Sequence, residues 1–409
     1  MNVFVLNCGS SSLKYQLINM KNEKVIAKGL VEKIGENISY LNYETEADNE
    51  IEIEEKINDH NKAIEMVLEI LQNKEYGVLE NINEINIVGH RVVHGGEKFS
   101  GSVLINEDVI KALKENIKLA PLHNPANIMG IEVSKNLMPH TPDVGVFDTA
   151  FHQSMPEKSY LYAIPYEWYK DNGVRRYGFH GTSHKYVSER GSELLEKDYK
   201  DLKIISCHLG NGASITAIED GKVIDTTMGL TPLEGLVMGT RSGDLDAGII
   251  PYIMKERNMD IEEIDQALNT ESGVLGISGI SNDFRDIGEK ADLGDERAQL
   301  AIDIFCRRVK KYIGSYAALL GRVDLLIFTA GIGENAINIR KKIVSDMDYF
   351  GIELDEDKNN CRGKEVKISS DNSNVDVYVI PTNEELVIAR EAKDVVETYI
   401  KNIIKGIVG

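Results

Sequence analysis

The segment LKIISCHLGNGASITAIEDGKVIDTT, residues 202–227, determines the fold class. Its three apolar runs, LKIISCHL, ASITAIE and KVIDTT, are typical of β-strands and are separated by turn residues. The first turn is Gly-Asn-Gly at 210–212, and the second contains Asp220 and Gly221, a pair that strongly favours a tight hairpin. The segment therefore predicts a three-stranded antiparallel meander.

The N-terminus repeats this arrangement. The runs NVFVLN, LKYQLI and KVIAKGLV, within residues 2–31, predict three strands, with CGSS at the first turn. NCGSSSLKYQL and HLGNGASITAI share one plan, in which a strand ends, a small polar turn follows and a second strand leaves. We infer an internal duplication that gives two similar α/β domains, each opening with a meander, on either side of a cleft. Because no Gly/Ser linker marks a boundary, only the duplication places it near residue 150.

Later segments continue the α/β pattern. INIVGHRVVHGG and DVGVFDTAFH are short apolar runs that end in polar residues, as buried strands leading to functional loops do. Apolar spacing predicts a helix over 297–321 and an amphipathic helix over 384–404. Between them, VDLLIF predicts a buried strand, followed by TAGIGEN as a loop and by another helical stretch. EIEIEEKI, at 50–57, predicts a solvated edge strand.

Composition excludes several classes of protein. The chain has 409 residues and a formal net charge of -20, which repels nucleic acids and anionic membranes, so neither is expected as a partner. No run approaches the ~20 apolar residues of a membrane span, and the N-terminus lacks the basic region of a signal peptide. The cysteines are too far apart in sequence for a Cys-x-x-Cys pair, which favours a reducing cytoplasm over a disulfide framework or zinc site. They are Cys8, Cys207, Cys306 and Cys361.

Three segments rich in glycine are candidate phosphate sites. Two are the turns of the meanders, whose small residues, hydroxyls and backbone N–H groups can surround phosphate oxygens. A single such turn is more often structural, but two at equivalent positions of a repeat favour phosphate binding. The third segment, GIGEN at 331–335, is a weak signal by itself, because it is neither a Walker loop nor a full dinucleotide fingerprint.

Two arginines and two carboxylates are the next candidates. Arg91 in GHRVVHGG and Arg241 in MGTRSGDLD follow apolar runs and lie among small residues, where a guanidinium can hold a carboxylate or phosphate. Asp148 and Glu384 stand in apolar contexts, and each is equally compatible with a helix N-cap and with a magnesium anchor.

The densest cluster of polar and aromatic residues is RRYGFHGTSH at 175–184. His180 and His184 lie four residues apart, so a metal-binding pair is conceivable. No third soft ligand lies nearby in sequence, which disfavours zinc, and Phe179 points to a shaped pocket.

Together these segments resemble acetate kinase. The resemblance rests on NCGSSSLKY, DTAFHQSMP, RRYGFHGTSH, HLGNGAS and TAGIGEN, and it extends over essentially the whole chain. It implies the duplicated βββαβαβα fold of actin-like ATPases and sugar kinases, which is ribonuclease H-like, with ATP in the interdomain cleft. It also implies an N-terminal domain of residues 1–150, joined by a C-terminal helix at about 385–409. The second domain would be 151–384, with the nucleotide site and the interface of a homodimer.

The resemblance further implies a role for each matched residue. The magnesium site, which manganese can also occupy, would be formed by Asn7 and Glu384. The catalytic residues would be Arg91, Asp148, His180 and Arg241. The phosphate contacts would be Ser10, Ser12, Lys14, His208, Leu209, Gly210, Asn211 and Gly212. The adenosine side would be Asp283, Phe284, Arg285, Gly331, Ile332, Gly333, Glu334 and Asn335. The acid would contact Arg91, Val93, Leu122, Phe179 and Pro232.

The implied reaction is reversible transfer of the γ-phosphoryl group of ATP to acetate, which gives acetyl phosphate and ADP. A carboxylic acid of pKa ~4 is ionised at neutral pH and is its own nucleophile, so it needs cations around it and no general base. We therefore expect direct in-line transfer, with Asp148 orienting groups. The alternatives are a propionate or other short-chain acyl kinase, a pyrophosphate-dependent enzyme, and a non-catalytic nucleotide-dependent binding module. The last would need a further peptide-binding domain, for which no residues remain.

Overall fold

The computed structural model describes residues 1–47, 49–121 and 123–408, with side chains up to residue 406. The chain forms two compact units. Unit 1 consists of Met1–Ala150 and the chain from Asn383 onward, and unit 2 is Phe151–Thr382. Among the described helices, none is long and apolar enough to cross a lipid bilayer.

The strands of unit 1 form one sheet, and those of unit 2 form another. The strands of unit 1 are β1 (Asn2–Cys8), β2 (Ser12–Asn19), β3 (Lys24–Glu32), β4 (Ser39–Thr45), β5 (Glu50–Glu55), β6 (Ile85–Val92), β7 (Val103–Leu104) and β8 (Asp143–Phe147). The strands of unit 2 are β9 (Lys203–Leu209), β10 (Ala213–Glu219), β11 (Lys222–Thr226), β12 (Leu325–Thr329), β13 (Val366–Lys367) and β14 (Asp376–Val379).

Helices follow the strands in both units. The helices of unit 1 are α1 (His60–Leu71), α2 (Glu107–Glu115), α3 (Asn124–Leu137) and the last of the chain, α15 (Glu384–Val408). The helices of unit 2 are α4 (Glu157–Tyr160), α5 (Tyr166–Asn172), α6 (Gly181–Leu195), α7 (Ile249–Arg257), α8 (Ile261–Thr270), α9 (Gly273–Ser278), α10 (Phe284–Asp292), α11 (Glu296–Leu320), α12 (Ala330–Asn335), α13 (Ile337–Val344) and α14 (Glu356–Asn359).

The two sheets confirm the predicted duplication. Unit 1 has the strand order β5-β4-β3-β2-β1-β6-β8-β7, and unit 2 has the order β11-β10-β9-β12-β14-β13. In each, three strands pair antiparallel, and the first of them then pairs with a parallel strand that is followed by another parallel strand. The series β3-β2-β1-β6-β8 therefore corresponds to β11-β10-β9-β12-β14.

Register places the two glycine turns at equivalent hairpin tips. Cys8 pairs with Leu13 in unit 1, and Leu209 pairs with Ala213 in unit 2, so residues 9–12 and 210–212 form the tips. The second hairpin of unit 2 turns at Asp220 and Gly221, which have φ of 54° and 71°. A two-residue turn with positive φ at both positions matches the twist of the flanking strands, as the Asp-Gly pair predicts.

Alternation along β1 explains how the core of unit 1 is divided. Val3 and Val5 pack on one face of the sheet, in a cluster that contains Ile388 and Ala392 of α15. Phe4 and Leu6 belong to the cluster on the other face, with residues of α1 and α3. Successive side chains of a strand point to opposite faces, so a strand buried on both faces reads as a continuous apolar run. Helix α15, at the end of the chain, therefore packs on the apolar face that β1 presents in unit 1.

Most predicted elements agree with the structure. The helix predicted at 297–321 is α11, which ends at Gly321 in the left-handed conformation (φ 72°). The acidic run forms β5, an edge strand with exposed glutamates, and the C-terminal helix extends four residues further than predicted, to Val408. The prediction of a loop at GIGEN was wrong, because β12 leads directly into helix α12 through Ala330, whose φ is 63°.

Candidate active site

The hairpin tip of unit 1 exposes hydroxyl groups. Gly9 N donates to the Ser12 carbonyl at 2.8 Å, which closes the turn, and Ser10 is exposed while Ser12 is half-buried. Two side chains hold the backbone of the turn: His60 Nε2 lies 2.8 Å from the Gly9 carbonyl oxygen, and Asn127 Nδ2 donates to the Cys8 carbonyl at 2.9 Å. The turn therefore has a fixed backbone and accessible side chains.

Arg91 connects several predicted site residues of unit 1. It lies near the end of β6, and Asp148 follows the adjacent parallel strand β8 directly. Arg91 Nε lies 3.1 Å from both carboxylate oxygens of Asp148, Nη2 lies 2.6 Å from Oδ2, and Nη1 donates to Asn7 Oδ1 at 3.3 Å. Burial disfavours the charge on Arg91, but Asp148 and Glu384 outweigh this effect and raise its pKa. Asp148 is therefore a partner of Arg91 rather than a helix N-cap.

The start of α15 brings more charge to this group. Its first turn is capped by Asn383, whose Oδ1 accepts from Leu386 N at 3.1 Å, so Glu384 is not the N-cap. Glu385 forms an ion pair with Lys14 of β2. Burial, opposed by Arg91, raises the pKa of Glu384 to about 7, and the neighbouring carboxylates Asp148 and Glu385 act in the same direction. A half-buried carboxylate close to other carboxylates is a site that a cation would stabilise.

The oxygen donors near Arg91 are of the kind that a divalent cation requires. Asn7 offers an amide oxygen and Glu384 a carboxylate, both of which are hard oxygen ligands. Among the described residues, no three His, Cys, Asp or Glu side chains form a group that could hold a metal. Magnesium commonly binds through one or two carboxylates, water and substrate phosphates, so this sparse set fits it better than it fits zinc.

In unit 2, three predicted segments border the second glycine turn. Gly210 N donates to the Gly212 carbonyl at 3.1 Å, and Asn211 is exposed at the tip. Asn282 Nδ2, beside Asp283, donates to Asn211 Oδ1 at 3.2 Å. A Cβ built on Gly210 would lie 3.6 Å from the Cβ of Ala330, the first residue of α12. The segments at 283–285 and 331–335 therefore both lie against the turn.

His180 faces the same turn from the start of α6. It has φ 57° and is the residue before the helix. A Cβ built on Gly212 would lie 3.4 Å from His180 Nε2 and 3.6 Å from Arg241 Nη1, so the imidazole and the guanidinium meet at Gly212. His208 is buried at the end of β9, where its ring stacks on His180 with 4.1 Å between the centroids and its Nδ1 lies 2.8 Å from Ser183 Oγ. His208 thus supports His180 and is not part of the exposed tip.

Arg241 is a half-buried cation that has no carboxylate partner among the described residues. Its Nη1 lies 3.4 Å from the carbonyl oxygen of Pro232 and 4.0 Å from Met238 Sδ. No carboxylate of the described residues pairs with it within 4.0 Å, and burial lowers its pKa. A desolvated guanidinium with spare donors is suited to binding an anion.

The segments assigned to adenosine differ in their surroundings. In α12, Gly331 is exposed, and a Cβ there would meet nothing within 4 Å, whereas Gly333 packs against Phe328. Glu334 Oε1 accepts from Thr382 N at 3.2 Å, and Asn335 is exposed. At the start of α10, the ring of Phe284 packs on Phe305, and Arg285 forms an ion pair with Asp283, its neighbour in sequence.

Of the four residues assigned to the apolar pocket, three are described, and each is considered in its own unit. In unit 1, Val93 is 5% exposed, and its N–H donates to Asn127 Oδ1 at 3.0 Å. In unit 2, Phe179 is buried, Pro232 is half-buried, and both lie in segments that contact His180 or Arg241. Leu122 lies outside the described residues. Leu209 has a fully buried side chain, so only its backbone can contact a ligand.

The chain matches one protein family over nearly its whole length. Residues 2–390 match the model of the acetokinase family. The chain is 58% identical to the acetate kinase of Halothermothrix orenii over 97% of its own length and 100% of that protein. It covers 97% of its length and 99% of the crystal structure of Porphyromonas gingivalis acetate kinase, at 48% identity and a TM-score of 0.93. The chain belongs to the acetokinase family.

The chain is also similar to the crystal structure of a propionate kinase from Francisella tularensis. The chain is 46% identical to it and covers 96% of its own length and 99% of that chain, with a TM-score of 0.90. Membership of the acetokinase family confirms the fold class and makes the chain a kinase. It also explains why five separate sequence segments occur in this order along one chain.

The acetokinase resemblance did not reveal several residues that support the site. Ser214 of β10 lies between His180 and His184, and Asp244 closes the loop that carries Arg241. Ser214 and Asp244 both stand inside quoted motifs, HLGNGAS and MGTRSGDLD, but they look there like an ordinary strand residue and turn residue. His184 contacts Ser206 and Ser214 through its two ring nitrogens, so both of its potential metal-binding atoms are already engaged.

Proposed function

We propose that the chain catalyses reversible, magnesium-dependent transfer of the γ-phosphoryl group of ATP to acetate, giving acetyl phosphate and ADP. The transfer is direct and in line. Its relatives at 58% and 48% identity are named acetate kinases over nearly their full lengths, which supports this choice among kinase reactions.

One observation supports the proposal most strongly, namely the arrangement of Arg241 and His180 around Gly212. Arg241 is a half-buried cation with no carboxylate partner in the described chain, and both its Nη1 and His180 Nε2 approach this glycine. Fixed donors of this kind, aimed where negative charge develops, stabilise the equatorial oxygens of a transferring phosphoryl group. In the proposal, Arg241 and His180 act on that group.

The acid needs orientation and charge compensation only. Arg91 binds its carboxylate, and Asp148 holds Arg91 in place rather than removing a proton. The bidentate contact between Asp148 and Arg91 supports this assignment, because that carboxylate is already engaged with a permanent cation.

Asn7 and Glu384 hold the divalent cation in the proposal. The raised pKa of Glu384, caused by burial, supports a cation there, since a positive charge would favour the ionised form. Magnesium held there, or manganese in its place, would neutralise charge on the phosphate oxygens. Ser10, Ser12 and Lys14 contact phosphates, as does the turn at residues 208–212.

The adenosine moiety is assigned to unit 2. Asp283, Phe284 and Arg285 lie on one side of the turn, and Gly331 to Asn335 lie on the other. The open space above Gly331 supports close approach of a nucleotide to the backbone.

The second candidate is a propionate or other short-chain acyl kinase, which the similarity to the propionate kinase of Francisella tularensis favours. Both reactions use the same charged groups. They differ only in the apolar residues around the alkyl group, which are Val93, Leu122, Phe179 and Pro232.

A hydroxylamine trap for acyl phosphate tests the proposal. The purified chain is incubated with Mg-ATP and with acetate, propionate or butyrate in turn, and hydroxamate is measured. We expect acetate to give the highest kcat/KM. A higher value with propionate would establish the second candidate, and product with pyrophosphate but not ATP would point to the pyrophosphate-dependent enzyme. ATP binding without product from any acid would favour a binding module.

We also propose a cytoplasmic homodimer that associates through unit 2. Large apolar side chains are exposed on the adjacent helices α7 and α8, among them Tyr252, Met254 and Ile261, and such patches mark association surfaces. Free, buried thiols such as Cys207, whose pKa is raised by burial, suit a reducing compartment. Sedimentation equilibrium of the chain and of Tyr252→Glu tests the dimer.

A further inference from the structure

A chain of buried hydrogen bonds leads from the second sheet to His180. Ser206 Oγ lies 2.9 Å from His184 Nδ1, His184 Nε2 lies 2.7 Å from Ser214 Oγ, and Ser214 Oγ lies 2.9 Å from His180 Nδ1. Ser206, His184 and Ser214 are all fully buried. The two serines are on β9 and β10, and the register pairs Ser214 with His208, so the relay is built on the rigid meander.

The protons of this relay can be arranged in two ways. In the first, Ser206 donates to His184 Nδ1, His184 Nε2–H donates to Ser214, and Ser214 donates to His180 Nδ1. In the second, every donor is reversed, and His180 Nδ1–H donates to Ser214. Each serine has one proton and a neutral histidine has one N–H, so choosing the direction of one bond fixes the others.

Ser206 decides between the two arrangements. Within the described residues, its hydroxyl has no partner other than His184 Nδ1. In the second arrangement its proton would have no acceptor in a fully buried place, and an unsatisfied buried donor is costly. In the first arrangement Ser206, His184 and Ser214 all use their donors. His184 is neutral, as both arrangements require, because burial and then the neighbouring histidines His152 and His208 lower its pKa well below the usual value.

We propose that Ser214 and His184 are positioning residues that hold His180 as the tautomer with an unprotonated Nδ1 and an Nε2–H directed at the Gly212 turn. This inference rests on the proposed function, because the Nε2–H of neutral His180 is then the donor to the phosphoryl group. Ser206 therefore determines which ring nitrogen of His180 carries the proton, although Ser206 contacts neither the substrate nor the turn at residues 210–212.

Nitrogen NMR of the full chain tests the tautomer without any turnover. The protein is labelled with ¹⁵N-histidine, and His180 signals are identified by their loss in His180→Asn. We expect Nδ1 of His180 to have the shift of an unprotonated ring nitrogen and Nε2 that of a protonated one. A protonated Nδ1 in the wild-type chain would overturn the proposal by itself.

Kinetics of relay variants test the consequence. Ser214→Ala removes the donor to His180 Nδ1, so we expect kcat to fall on the order of tenfold, less than the roughly hundredfold loss on deleting an oxyanion donor itself. KM for the acid and for ATP should change little. Ser214→Thr keeps the hydroxyl and should restore most of kcat, and Ser206→Ala should shift the His180 signals toward a mixture of tautomers.

The matched control is Ser188→Ala on α6. Ser188 is equally buried, and its hydroxyl contacts the Lys185 carbonyl and Tyr199, outside the relay. The Ser188→Ala variant should have unchanged kcat and unchanged His180 signals. If Ser214→Ala has normal kcat and an unchanged tautomer, the relay has no positioning role. If the wild-type chain forms no acyl phosphate while the tautomer is as stated, the proposed function fails and the positioning of His180 stands.

Discussion

The carboxylate of Asp148 binds the guanidinium of Arg91 through both of its oxygens, with Nη2 only 2.6 Å from Oδ2 and Nε 3.1 Å from each oxygen. Asp148 is 1% exposed in its side chain and Arg91 is 24% exposed, so the pair is anchored from the buried side and Arg91 presents its remaining surface outward. An arginine held in this way loses little entropy on binding an anion.

Asp148→Asn should therefore impair turnover without unfolding the chain. The change keeps the shape and removes the charge that orients Arg91. A hydrogen bond to a charged group contributes about 1.5–3 kcal/mol, so we expect kcat/KM for acetate to fall on the order of ten- to a hundredfold. Steady-state kinetics measure it. Asp371→Asn, in an exposed pair with Lys358, is the control, and equal activity of both variants would refute the orienting role.

Arg91→Ala and Arg241→Ala should each lower turnover by orders of magnitude, because two anions must approach each other and each arginine cancels part of their repulsion. Circular dichroism should show an intact fold. Arg190→Ala, which removes an exposed arginine paired with Glu193 and Glu365, should have normal kinetics. Near-normal turnover in either Arg91→Ala or Arg241→Ala would remove that residue from the proposed mechanism.

Local pattern was sufficient to predict the framework of each unit. The Asp220–Gly221 turn needs positive φ at both positions, and the alternation of β1 requires burial on two faces, so both features are visible in sequence. The repeat of the meander then predicted two similar α/β units. The loop prediction for GIGEN was wrong because glycine disfavours a helix in isolation. In the structure, Gly333 packs against Phe328, and this packing allows a helix.

Long-range pairs of polar residues could not be predicted from local pattern. Arg91 and Asp148 are 57 residues apart, and His184 and Ser214 are 30 apart. Each contact depends on the register of two elements, and a shift of one residue would turn the serine to the other face of its strand. The sequence identified Arg91, Asp148, His180 and Arg241 as candidates. The hydroxyl of Ser214 and the carboxylate of Asp244, however, resemble those of ordinary strand and turn residues.

Val93→Ala should improve propionate relative to acetate. Val93 is nearly buried next to the Arg91 strand, and one methylene is worth about 1–3 kcal/mol in an apolar pocket, so added space should favour the larger acid measurably. The ratio of kcat/KM for the two acids is the measurement. Val92→Ala is the matched control, because Val92 is in the hydrophobic core with Ile105 and Leu113 and should leave the ratio unchanged. An unchanged ratio in Val93→Ala would show that Val93 does not contact the acid.

Asp244→Asn should loosen the loop that carries Arg241. Asp244 Oδ1 accepts from Gly235 N at 2.8 Å, and Tyr312 of α11 donates to Oδ2 at 2.6 Å, so the two ends of the loop are joined and fixed to a long helix. Losing charge-assisted hydrogen bonds of this kind should lower kcat about tenfold, while KM for ATP changes less. Tyr312→Phe should have a smaller effect in the same direction, and Tyr349→Phe, at an exposed position, should have none. Wild-type kinetics for Asp244→Asn would show that Arg241 is held by other contacts.

The buried neutral state of His184 should make the chain less stable in acid. Burial, reinforced by His152 and His208, lowers its pKa well below 6.5, so the unfolded chain binds a proton that the folded chain does not. The free energy of unfolding therefore keeps its full value above pH 6.5. It decreases as the pH falls from 6.5 toward the pKa of His184 in the folded chain, by about 1.4 kcal/mol per pH unit. Urea unfolding at several pH values measures the slope. His184→Gln should flatten it, whereas His140→Gln, at an exposed position, should not, and an equal slope in all three proteins would mean that His184 is protonated when folded.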